Sequence, residues 1–149
     1  FTSETSYSES LKPILYIYED KSQTQIRILC EFIPAGVKER YIQKDQVIER
    51  IVPLPRDFLF LDNNSLQHFA IFASQLPFSP ETAIPFSTFH PRRMEVTDGK
   101  FVPQGKKEKN LYLFKMETPF HTIHLWINSQ GLLLKYQQGE LTASLKTSE

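Results

Sequence analysis

The chain has 149 residues, with 17 Lys plus Arg against 17 Asp plus Glu and a formal net charge of zero. That length accommodates one domain with a sizeable core, and the balanced charge leaves no concentrated positive surface for DNA, RNA or an anionic membrane. The single cysteine, Cys30, excludes an internal disulfide and a multi-cysteine metal site. No run of about eighteen apolar residues is there to cross a bilayer as a helix.

The first ten residues, FTSETSYSES, are polar and rich in Ser and Thr, without the basic-then-apolar order of a signal peptide. They read as a polar tail or linker ahead of a single antiparallel β domain over residues 11–149. PILYIYED (Pro13–Asp20) and QIRILCEFI (Gln25–Ile33) carry the alternation and β-branched enrichment of strands, joined by KSQT. After the turn signal Pro34-Ala35-Gly36 come GVKERYIQK (Gly36–Lys44) and QVIERIVPL (Gln46–Leu54), so the first four strands form an antiparallel meander. Cys30 alternates with Ile26, Ile28 and Phe32, which predicts a buried thiol rather than a nucleophile.

The pattern changes at LDNNSLQHFAIFASQLPF, Leu61–Phe78. Asn64 is a candidate cap with Gln67 as its capping-box partner, and Pro77 stops the segment; the spacing predicts a helix over about 64–76. Projected at about 100° per residue, Leu66, Phe69, Ala70, Phe72, Ala73 and Leu76 fall within an arc of about 160°. Gln67, His68, Ser74 and Gln75 face water, with Ile71 intruding among them.

Beyond the helix, TAIPFSTFHP (Thr82–Pro91) is broken by prolines and reads as an edge strand or loop. MEVTD, GKFVPQ, NLYLFKMET, HTIHLWI, LLLKYQ and ELTASLK read as further strands. Asn128-Ser129-Gln130-Gly131 is a hairpin turn, and GKKEKN a solvated hairpin end. One helix supplies too few crossovers for a parallel sheet. The fold class is therefore mainly β with one substantial helix: a large curved antiparallel sheet, an unclosed or half β-barrel, packed on that helix.

Patterns that carry chemistry are sparse. His121 and His124 form an HxxH, a spacing that shares one face on a helix but takes opposite faces on a strand. Their surroundings are β-like and no HExxH or cysteine adds a ligand, so neither a metal nor another cofactor is expected. There is no GxSxG elbow and no phosphate loop. Asp57 and Asp62 flank FLFL, where loop solvation or capping explains them. An enzyme acting on an envelope sugar or lipid would need at least two of Asp62, His90 and His121 in one cleft. ILYIY, FLFL and GLLLKY are apolar on both strand faces, which fits either a two-sided core or a face lining an apolar groove.

The segment NLYLFKMETPFHTIHLWINSQGLLLKYQQGELTASLK (Asn110–Lys146) has a Trp-centred strand, LWIN, then a Gly turn, then LLLKY. In this it resembles the outer-membrane lipoprotein carriers and their LppX-like lipoprotein relatives (the LolA/LppX-like fold), and an uncharacterised group of bacterial envelope proteins of that fold. There too, a segment like LDNNSLQHFAIFASQLPF precedes a Pro-rich strand. The resemblance implies an unclosed β-barrel around helical material, a hydrophobic concavity for acyl chains, and a structural role for the Trp126 strand and its hairpin. This chain has one clear helix, which leaves both a lidded cavity and a closed core open.

The expectation is a non-enzymatic, extracytoplasmic binding protein of the bacterial envelope or periplasm, with any signal peptide outside this chain. It would take a lipid or other apolar ligand through Tyr16, Phe69, Phe72, Leu76 and Trp126. The alternative is a protein-interaction or envelope-assembly module with a filled core and an envelope protein as partner.

Overall fold

A computed structural model describes residues 1–22, 25–62, 65–75, 81–108 and 110–144. Its first sheet is an antiparallel meander in chain order: β1 (Thr2–Tyr7), β2 (Pro13–Asp20), β3 (Ile26–Ile33), β4 (Gly36–Gln43) and β5 (Gln46–Val52). β1 corrects the expected polar tail. It runs from Thr2 opposite Glu19 to Tyr7 opposite Pro13, with a register shift after Ser6. Polarity masked it, because a strand at a sheet edge needs backbone pairing rather than an apolar side-chain pattern.

The second sheet is a curled half-barrel of seven strands. It comprises β6 (Leu59–Phe60), β7 (Ile84–His90), β8 (Glu95–Glu108), β9 (Leu111–Glu117), β10 (Thr122–Asn128), β11 (Leu133–Gln138) and β12 (Leu141–Ser144), in the order β12-β11-β10-β9-β8-β7-β6. MEVTD and GKFVPQ, expected as two strands, belong to one 14-residue strand, β8. Its pairing with β9 slips between Pro103 and Lys106, where proline has no N–H for the ladder. Among the described residues there is one helix, α1 (Leu66–Gln75), and it packs on β11. Asn64, Leu76 and Pro77, on which the expected cap, last apolar position and stop fall, lie outside the described residues.

The chain divides into two compact units. The first comprises Phe1–Asp62 and Phe89–Val96, the second Asn63–Thr88 and Thr97–Glu149. The core of the first is built on one face of the meander, where Tyr16, Tyr18, Ile28, Cys30 and Val37 are buried with Phe60 and Phe89. In the second, Phe69 lies 4.8 Å from Tyr136, Phe72 meets Phe86 at 5.1 Å and Phe101 at 5.8 Å, and Phe101 stacks on Phe114 at 4.5 Å. Offset and edge-on ring pairs of this kind add about 0.5–1.5 kcal/mol each beyond their buried area.

Strand alternation sorts the rest. On β10, Ile123, Leu125 and Ile127 are buried, while His124, Trp126 and Asn128 stay half-buried on the other face. The β10–β11 hairpin closes as predicted. Asn128 Oδ1 accepts from the N–H groups of Gln130 and Leu132, both at 2.9 Å, and Gly131 takes φ +80°.

The turn between β3 and β4 depends on Gly36. Its φ is +141°, and a Cβ there would stand 2.2 Å from the Val52 carbonyl oxygen. Gly36→Ala is expected to destabilise the protein by about 2 kcal/mol or more, read as a lower urea midpoint at unchanged slope.

Candidate functional site

The apolar arc of α1 is wider than the arc it buries. His68, Phe69, Phe72 and Ala73 are buried. Leu66 is 47% exposed and Ala70 half-buried, so two apolar positions are left at the margin. Beside that margin is a groove of about 240 Å³. Leu66, Gln67 and Ala70 of α1 line one side, and Leu134 and Tyr136 of β11 with Ala143 of β12 line the other. His68, expected on the water face, is 3% exposed. It stands one turn before Phe72 and is carried inward with that ring.

Four of the five residues singled out from the sequence lie among the described residues. Phe69 and Phe72 are fully buried in the helix–sheet core of the second unit, their rings against other rings rather than open space. Trp126 is half-buried on the opposite face of β10 from Leu125, with Lys135 Nζ 4.5 Å from its ring centroid. Tyr16 belongs to the first unit and is fully buried. Leu76 lies outside the described residues. Leu66 and Ala70 had been assigned to the apolar arc but not to a site. Only the position of Phe69 and Phe72 beneath the helix reveals which apolar residues remain uncovered.

A second place of chemical interest is a polar row across the meander. The register aligns Tyr16 with Cys30, Cys30 with Glu39, and Glu39 with Arg50. The Tyr16 hydroxyl donates to Asp62 Oδ2 at 2.6 Å, and Arg92 Nε stands 3.9 Å from Asp62 Oδ1. The Arg92 guanidinium also lies 4.0 Å from the centre of the Tyr18 ring. Asp62 is 2% exposed whereas Asp57 is exposed, so the two carboxylates that flank FLFL do not act as a pair. Burial, reinforced by the Asp62 carboxylate, holds the Tyr16 phenol well above its ordinary range.

Glu39 is fully buried, and its Oε2 has no hydrogen-bond partner among the described residues. Burial pushes its carboxyl up to about 8, against the opposing pull of Arg50 and a hydrogen bond from Cys30. Burial and then Glu39 raise the Cys30 thiol, so it stays protonated and unreactive at neutral pH. The signal for Glu39 was present in GVKERYIQK: Val37, Glu39 and Tyr41 share one strand face, which puts an acid on an apolar stripe. The HxxH resolves as strand spacing dictates. His124 lies 6.3 Å from the Trp126 ring, while His121 is bonded to Gln138 on the face of the buried residues.

Compared with family models, with curated proteins and with solved structures, the chain matches none. What fold and site define is a class: an antiparallel β half-barrel with a helix packed on it and a short apolar groove at the helix margin.

Glu39 makes stability pH-dependent with a defined sign. Unfolded, it loses its proton near the ordinary value of 4.5; folded, it keeps it to about 8. Its contribution is therefore complete below the first value and is lost as pH rises toward the second. Stability is expected to fall by about 1.4 kcal/mol per pH unit across that window. Denaturation of Glu39→Gln over the same range should remove most of the slope.

Proposed function

We propose that the chain is a non-enzymatic binding module that takes one apolar chain into the groove between α1 and β11–β12. The observation that carries this reading is the groove's wall, where Leu66, Ala70, Leu134 and Ala143 present carbon beside the Tyr136 ring. Its volume of about 240 Å³ lies below the roughly 300–1,000 Å³ of sites for drug-sized ligands, which favours a single slender chain over a bulky ligand. The resemblance of Asn110–Lys146 to lipoprotein carriers supports a lipid acyl chain as occupant and the bacterial envelope or periplasm as the place of action.

A second reading, a protein-interaction module, is favoured by one separate feature. Val47, Ile48 and Ile51 are each more than half exposed on β5, the edge strand of the meander. Exposed apolar side chains on a strand edge suit pairing with another chain.

The groove reading is tested with the uncharged apolar dye N-phenyl-1-naphthylamine, whose emission rises on leaving water. Wild type should bind it saturably. Ala70→Trp, which fills the groove from a half-buried position, should weaken binding about tenfold or more, with the circular dichroism unchanged. Equal affinity in the folded variant would remove the groove as the site.

A further inference from the structure

His121 and Tyr136 are joined through a single side chain, Gln138. Gln138 Nε2 lies 3.0 Å from His121 Nδ1, and Gln138 Oε1 accepts from the Tyr136 hydroxyl. Strand geometry explains the meeting. Tyr136 and Gln138 stand two apart on β11 and share a face, and His121 precedes the buried Ile123 by two. The turn is held by Thr118, whose Oγ1 accepts from the His121 backbone N–H at 3.1 Å and whose own N–H donates to the His121 carbonyl at 2.9 Å.

An amide NH₂ only donates, so Nδ1 must accept, and the imidazole proton sits on Nε2. Protonation places a second hydrogen on Nδ1, and two donors then face each other. Turning the Gln138 amide over relieves the conflict: its oxygen accepts from Nδ1–H and its NH₂ donates to the phenol oxygen. Toward Gln138 the Tyr136 hydroxyl changes from donor to acceptor, and its own hydrogen loses the Gln138 oxygen as partner. Tyr136 lines the apolar groove, and its ring lies 4.8 Å from that of Phe69 on α1.

We propose that His121 and Gln138 make the apolar groove proton-responsive, with the Tyr136 hydroxyl as the group whose role changes. This rests on the groove being the binding site. The titratable groups of the adjoining elements are few. On β9, Glu117 is ion-paired with Lys115, and both alternate away from the buried Met116. Glu140 occupies the turn after Gln138, His124 points to the other face of β10, and His68 is the one titratable residue of α1.

The test is the affinity of wild type for N-phenyl-1-naphthylamine from about pH 8 to about pH 5.5, a range spanning the imidazole titration. An about threefold change is expected across that range, the worth of roughly one neutral hydrogen bond. His121→Gln and Gln138→Met should flatten the profile, and His124→Gln should retain it. A flat wild-type profile with dye bound, or an inflection surviving in Gln138→Met, would overturn the proposal. If the dye does not bind at all, the groove reading fails by itself, and nitrogen NMR still decides the relay. The Nε2–H tautomer at about pH 8, with Tyr136 ring signals following the His121 titration, upholds it. An Nδ1–H tautomer, or Tyr136 signals that stay still, refutes it.

Discussion

Two phenyl rings one turn apart on α1, Phe69 and Phe72, determine how the helix-bearing unit is arranged. Phe69 seats on Tyr136 of β11, and Phe72 wedges between Phe86 of β7 and Phe101 of β8. With these rings inside, the helix has no rotational freedom left, because any turn about its axis would bring a large apolar surface into water. Deleting such a buried ring costs about 3–5 kcal/mol, a large share of a domain's total stability. The same seating leaves Leu66 and Ala70 at the edge of the buried face. The groove is thus a by-product of where the rings point, and its location follows from helix geometry.

The meander unit obeys a different constraint. Alternation fixes which residues share the buried face, so it places Glu39 and Cys30 beside Tyr16 regardless of their polarity. The acid is tolerated by keeping its proton, and Asp62 by accepting from Tyr16 with Arg92 close by. The result is a polar line inside an aromatic core whose protonation matters to folding. Its thiol and phenol are both held in their neutral forms.

Much of this was legible in the sequence wherever period and burial agree. Most strands from Pro13 onward, the helix, the Asn128–Gly131 turn and the curved antiparallel sheet follow from alternation, 3.6-residue spacing and turn chemistry. MEVTD and GKFVPQ are one strand rather than two, and TAIPFSTFHP, expected as an edge strand or loop, holds β7, which has β8 on one side and β6 on the other. What escaped did so for identifiable reasons. Thr2–Tyr7 pairs through its backbone, which side-chain polarity does not report. Asp62 reads as a loop acid until Tyr16 and Arg92, distant in sequence, reach it. Trp126 and Phe72 look equivalent as aromatic residues, yet alternation sets Trp126 beside Lys135 on the half-buried face of β10 while helix packing buries Phe72. A groove is a space left over after packing, so no local pattern encodes it.

The central claim is that the uncovered margin of α1, facing β11 and β12, is where an apolar chain is held. Methyl-selective carbon NMR titrated with N-phenyl-1-naphthylamine tests it at single-residue resolution. The account predicts shifts concentrated on the methyl groups of Leu66, Ala70, Leu134 and Ala143, with intermolecular contacts from the dye to the same groups. Shifts concentrated instead on Val47, Ile48 and Ile51 of β5, or none at saturating dye, would contradict it.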